Sequence, residues 1–124
     1  MLMAEQASKR STCSRLQVGA VVVQDRQVVG TGYNGAPSGI PHCVHVDDTP
    51  CDIAVHAEAN AVLFAGRMAA CFTREMYVTH APCVRCAGLI INAEIDAVFY
   101  RDTYRSEKGL VLLRDAEVRV ERVS

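Results

Sequence analysis

Two short segments carry the residues best suited to chemistry, His56-Ala57-Glu58 and Pro82-Cys83-Val84-Arg85-Cys86. Cys83 and Cys86 stand one helical turn apart, so on a helix both sulfurs face one point, and an imidazole with two thiolates is a donor set that zinc favours. Three protein ligands leave the fourth tetrahedral position to water. Zinc lowers the pKa of that water from about 15.7 to roughly 7, which makes hydroxide available at neutral pH. Glu58 follows the histidine by two residues and is not needed as a ligand, so its carboxylate is free beside the water as a general base. A structural zinc knuckle is the plain alternative, with Cys71 or His80 closing the shell. A closed shell gives no reason for a glutamate next to its histidine.

These residues need elements to hold them. From His56 to Met68, apolar residues at Ala59, Val62 and Leu63 recur with helical spacing and predict a helix that starts at the histidine. Cys83 to Ala93 predicts another, with Cys86, Leu89, Ile90 and Ala93 on one stripe. Both ligand groups then fall at helix N-termini, where unpaired backbone N–H groups and the helix dipole favour thiolate. Upstream, Met1 to Ser11 is rich in helix formers, and the β-branched run Gln17 to Gln24 is followed by an Asp25-Arg26 turn and a second run from Gln27. This predicts a hairpin with both strands in a buried sheet. Met76 to Thr79 and Ala97 to Tyr100 read as strands, Ser106 as the N-cap of a helix through Leu110 and Leu113, and the alternating VRVERV as a half-exposed last strand. The order αββαβαβαβ predicts an α/β fold of three layers, α/β/α, on a five-stranded mixed sheet with helices on both faces. Residues 34–55 contain GAPSGIP and DDTP and read as a long loop. A loop of that length usually has a function or is tied down, and Cys43, His45 and Cys51 are the candidates for a tie.

With 124 residues the chain has room for one domain with a real core, and the expectation is a single domain over 1–124. Apolar residues at 50% and charged residues at 22% fit a soluble globular protein and exclude a largely disordered or collagen-like one. The net charge of −1, with Arg10, Arg15, Arg67, Arg85, Arg101 and Arg105 scattered, argues against a long nucleic acid as partner. No apolar run approaches a membrane span and no signal pattern opens the sequence, so a cytoplasmic protein without membrane contact is expected. The six cysteines then read as reduced thiols engaged in metal binding or chemistry.

The pattern H-x-E followed by P-C-x-x-C is the signature of the zinc deaminases, and more of the chain extends the likeness. RSTCSRLQVGAVVV at 10–23, TGYNGAPSGIPHC at 31–43, HAEANAV at 56–62, YVTHAPCVRCAGLIINA at 77–93 and the pair Tyr100 and Tyr104 resemble the deoxycytidylate branch of the cytidine deaminase superfamily. The zinc motifs carry the superfamily and the GYNG block carries the branch. The resemblance implies a cytidine deaminase-like fold and hydrolytic deamination of dCMP to dUMP and ammonia, with zinc hydroxide attacking C4 and Glu58 shuttling protons. It implies that Asn34 contacts the sugar or phosphate, that Thr79 and Ala81 line the base pocket, and that Tyr104 reaches the phosphate. Gly32 and Gly35 would let the backbone approach a ligand, although GYNGAPSG taken alone reads equally as a turn-rich connector.

Cys13 and Cys43 match positions where some members bind a second, structural zinc, and His45, Cys51 or His42 could complete that shell. Buried thiols without metal are the ordinary alternative. Phe64 and Arg67 match a region that relays control by dCTP and dTTP in some members, and a core aromatic with a solvated arginine explains them equally well. Mg2+ would enter only with a triphosphate effector. The partner implied is a small nucleotide, and the assembly a homo-oligomer, often a hexamer in this family. The rival substrates are dCTP, a 5-modified dCMP, a nucleoside or a tRNA adenosine; the rival class is a non-catalytic zinc-binding module.

Overall fold

A computed structural model of the protein describes residues 1–13, 15–42, 53–66 and 72–124. The β-branched run at Gly19–Gln24 forms β1 and Gln27–Tyr33 forms β2. The turn between them holds Asp25 (φ 49°) and Arg26 (φ 64°), both left-handed, with Gln24 paired to Gln27 across it. A two-residue turn of this hand matches the twist of the strands it joins. β3 (Arg74–His80) lies antiparallel to β1, and β4 (Ala97–Asp102) and β5 (Arg119–Arg122) follow in parallel. The sheet order is β2-β1-β3-β4-β5. Parallel neighbours need a crossover, and α3 (Val84–Asn92) and α4 (Lys108–Asp115) supply the two.

Side chains alternate across a strand, so Ala20, Val22, Met76, Val78 and Val98 share one face of the sheet and build the core with Ile90 of α3 and Leu113 of α4. α2 (Ala57–Ala65) packs on that same face, and α1 (Leu2–Ser8) on the other. The absence of side chains at two strand positions permits both contacts. A Cβ on Gly32 of β2 would strike the Ala57 carbonyl oxygen, and one on Gly19 of β1 would strike that of Ala4. The expected order of elements and the five-stranded mixed sheet with helices on both faces are therefore present. No helix among the described residues is long and apolar enough to cross a membrane.

Several local expectations need correction. β2 is the edge of the sheet and not a buried strand, with Val28 and Tyr33 exposed. α2 ends at Ala65, before Gly66 at φ 68°, whereas Met68, its expected end, lies outside the described residues. Leu63, one of the apolar residues whose spacing predicted the helix, is 75% exposed, and Phe64 is 78% exposed. The helix runs so close to β2 that only small side chains, Ala57 and Ala61, fit between them, and the large ones point outward. Leu89 is likewise exposed on α3, and Ala87 takes the buried place beside Cys86 and Ile90. Gly32, expected to admit a ligand, instead admits α2. Ser106 does cap α4 in part: its hydroxyl accepts the Lys108 N–H at 3.2 Å, one residue outside the Glu107 cap position.

Candidate active site

The two helices that carry the candidate ligands each begin on one of them. His56 and Cys83 are the N-cap residues of α2 and α3, both in extended backbone. Their carbonyls accept the first helical bonds, from Asn60 at 3.1 Å and Ala87 at 2.8 Å. The segment before His56 is fixed by the reciprocal backbone bonds of Gly35 and Val55 (3.1 and 2.8 Å), and α2 is tied to the edge strand by Asn60 Nδ2 donating to the Tyr33 carbonyl at 2.9 Å. At the opposite ends of both helices lies one buried cation. Arg74 donates to the Ala93 carbonyl at 2.9 Å and to that of Ala65 at 3.3 Å, so a single guanidinium meets the negative ends of α2 and α3.

At the helix starts, His56 Nδ1 lies 3.5 Å from Cys83 Sγ and 3.3 Å from Cys86 Sγ, and the three donor atoms all lie within 4.8 Å of one another. Zinc bonds of about 2.3 Å to sulfur and about 2.05 Å to nitrogen, at the tetrahedral angle, put N and S about 3.6 Å apart. The three donors thus stand close to three corners of a zinc tetrahedron. Among the described residues they are the one such cluster of His, Cys, Asp and Glu groups. His80 does not join it: its Nδ1 lies 2.9 Å from Thr79 Oγ1 and its Nε2 3.7 Å from Asp102 Oδ2. Cys71 lies outside the described residues.

The two thiols are coupled. A hydrogen bond with Cys86 holds the Cys83 thiol below the ordinary range, while the reciprocal bond and burial push Cys86 above it. Such a pair gives up one proton readily and the second only to a cation that replaces it. Glu58, in the first turn of α2, is 4% exposed, and burial raises its carboxyl pKa above the ordinary value.

A cavity opens beside these groups. Glu58, His56 and Cys83 line it together with Val18, Asn34 and Ala81. Asn34 is 8% exposed, and its amide is already bonded on both sides: Oδ1 accepts the Val18 N–H at 2.8 Å and Nδ2 donates to the Leu16 carbonyl at 2.8 Å. Thr79 is fully buried, and its hydroxyl accepts the Gly19 N–H at 3.1 Å and bonds His80. It stands behind the wall, and His80 and Ala81 provide the surface. Tyr104 lines the cavity, and Arg15 donates to its hydroxyl from two guanidinium nitrogens at 3.4 and 3.5 Å. Cys13 is buried and lines the same cavity, whereas Cys43, His45 and Cys51 lie outside the described residues. Sequence reasoning missed Arg15 and His80 as cavity residues. Each sits inside a matched block, RSTCSR and YVTH, and that position was the available signal.

An imidazole and two thiols at paired helix starts, next to a buried glutamate and at one end of a β2-β1-β3-β4-β5 sheet, define a zinc site of the cytidine deaminase-like fold. The cytidine and deoxycytidylate deaminase zinc-binding region matches residues 1–102, and the chain belongs to that family. It is 44% identical over 114 residues to the deoxycytidylate deaminase of Mycobacterium phage D29, covering 79% of this chain and 88% of the phage protein. It is 39% identical over 120 residues to ComE operon protein 2 of Bacillus subtilis, covering 92% of this chain but 64% of that longer protein. Among solved structures, the dCMP deaminase of cyanophage S-TIM5 in complex with dCMP and dUMP superposes with a TM-score of 0.88 at 33% identity, over 98% of this chain and 92% of that one.

Proposed function

We propose that the chain is a deoxycytidylate deaminase, hydrolysing dCMP to dUMP and ammonia with one zinc ion held by His56, Cys83 and Cys86. The observation that carries this reading is three donors at tetrahedral spacing beside a buried carboxyl that is not one of them. The cyanophage protein, alike over nearly the whole chain, is a dCMP deaminase crystallised with dCMP and dUMP.

Zinc in this site supplies a Lewis acid that makes water nucleophilic at neutral pH. Glu58 takes a proton from the attacking water and delivers it to N3 of the cytosine as the C4–O bond forms. It then takes the proton of the new C4 hydroxyl and passes it to the 4-amino group, and the C4–N bond breaks as the C4 carbonyl forms, releasing ammonia. Burial suits Glu58 to this task, since a carboxylate with a raised pKa takes a proton from water more readily than an ordinary one. Ala81 lines the base pocket, and Thr79 supports it from behind. Asn34 holds the Leu16 to Val18 backbone and offers the nucleotide its remaining amide proton. Tyr104, with Arg15 against its hydroxyl, receives the phosphate.

The same reading takes residues 1–124 as one domain that works in the cytoplasm as a homo-oligomer, with a hexamer the expected size. Leu63 and Phe64 on α2 and Leu89 on α3 offer exposed apolar surface for such contacts. It includes a second, structural zinc on Cys13 with Cys43, His45 and Cys51, and Mg2+ only where a triphosphate effector binds. Light scattering reads the assembly, and elemental analysis separates one zinc per chain from two.

The deciding assay is ammonia release by the zinc-loaded protein from dCMP, 5-substituted dCMP, dCTP and deoxycytidine. The expected result is the highest kcat/KM on dCMP. A protein that binds zinc and releases no ammonia from any of the four is a binding module, and the reading fails.

A further inference from the structure

His80 is a half-buried imidazole that deamination leaves without a task. Its Nδ1 lies 2.9 Å from Thr79 Oγ1, and the same oxygen accepts the Gly19 backbone N–H at 3.1 Å. The threonine proton is then directed to Nδ1, which makes Nδ1 the bare nitrogen and puts the ring proton on Nε2. Nε2 lies 3.7 Å from the Asp102 carboxylate, too far for a hydrogen bond, so its proton is not committed there. Burial lowers the His80 pKa, so at neutral pH the ring is an uncharged donor of fixed orientation.

Its position gives that donor a use. Arg15, Leu16, His80 and Tyr104 line both the cavity that reaches Glu58 and an outer cleft that continues past Asp102. N1 stands opposite C4 on a cytosine ring, so a base with C4 at the metal end would point its sugar away from the metal, and this cleft is a way out on that side. There the Arg15 guanidinium donates to the Tyr104 hydroxyl, and Asp102 pairs at 2.9 Å with Arg101, which Glu5 shares at 3.3 Å. An anion can therefore enter beside His80 without facing a bare carboxylate.

We propose that His80 is a specificity-determining residue whose Nε2–H donates to a phosphate oxygen of the bound nucleotide, next to Arg15 and Tyr104. The inference rests on the deoxycytidylate deaminase reading and adds to it the group that tells a nucleoside monophosphate from a nucleoside.

The zinc-loaded wild type, His80→Leu and His80→Gln are titrated calorimetrically with dUMP and with deoxyuridine, and dCMP kinetics are measured in parallel. His80→Leu is expected to weaken dUMP about tenfold and raise the KM for dCMP by a similar factor. Its kcat should stay within about twofold of wild type and its deoxyuridine affinity should not change. His80→Gln, with a neutral N–H of similar reach, is expected to recover most of the loss. His80→Asn, too short to reach, replaces the leucine variant if that one does not fold. Unchanged dUMP affinity overturns the proposal, as does an equal loss for dUMP and deoxyuridine or a glutamine variant no better than leucine. The titrations need no turnover, so a wild type that binds dUMP but leaves dCMP intact counts against the deaminase reading alone.

Discussion

The two ends of the cavity are built from different materials. At the metal end, His56, Cys83 and Cys86 come from the first turns of two helices, and Arg74 ties the far ends of both helices to one strand. At the outer end, Arg15 and Tyr104 come from loops and meet through side-chain bonds of 3.4 and 3.5 Å, while His80 is the last residue of β3. A metal site has to hold its donors to within a few tenths of an ångström, which regular elements do well. A substrate end has to admit, release and choose, which suits segments that can adjust without moving the core.

The largest effect should come from the metal donors. His56→Ala or Cys83→Ala is expected to lose one zinc ion per chain relative to wild type together with ammonia release, read by elemental analysis and activity; a zinc content equal to wild type in either variant would break the three-donor site. Next, Glu58→Gln is expected to keep zinc while turnover falls on the order of 10²- to 10⁴-fold. The same group sets the acid limb of the rate. Glu58 must be ionised to accept a proton, so kcat/KM should fall on acidification, and because burial raises its pKa the midpoint should lie above the ordinary carboxyl range. An acid limb at the ordinary value would remove burial as the tuning factor.

Smaller effects separate the supports of the two ends. Arg74→Met orphans the Ala65 and Ala93 carbonyls, at about 1–3 kcal/mol each. It should lower Tm and weaken zinc retention while leaving the KM for dCMP alone. Asn34→Ala orphans the Val18 N–H and the Leu16 carbonyl. Its expected signature is the reverse, a raised KM with zinc content and kcat intact, and equal damage to kcat would place Asn34 with the metal end.

The metal end was legible in the sequence because its information is local. One residue separates His56 from Glu58 and two separate Cys83 from Cys86, and helical geometry turns those intervals into shared direction. At the outer end the family resemblance named Tyr104, but Arg15 and His80 were hidden because the three residues share no local spacing. They meet because β1 and β4 flank β3, which brings the loops at the ends of these strands together. Helix faces failed for a related reason. Leu63 and Leu89 fit an apolar stripe by period, but the distance between α2 and a glycine-bearing strand chose alanines for the buried side.

The sequence by itself determined the donor set, the order of elements and the family likeness, since each is written in residue type and short-range interval. Tertiary structure decided that Thr79 works from behind the wall, that Asn34 is committed to backbone, that His80 lines the outer cleft and that one arginine secures both ligand helices. Those are contacts between segments far apart in the chain, and their energies depend on which groups the packed sheet leaves within hydrogen-bonding reach.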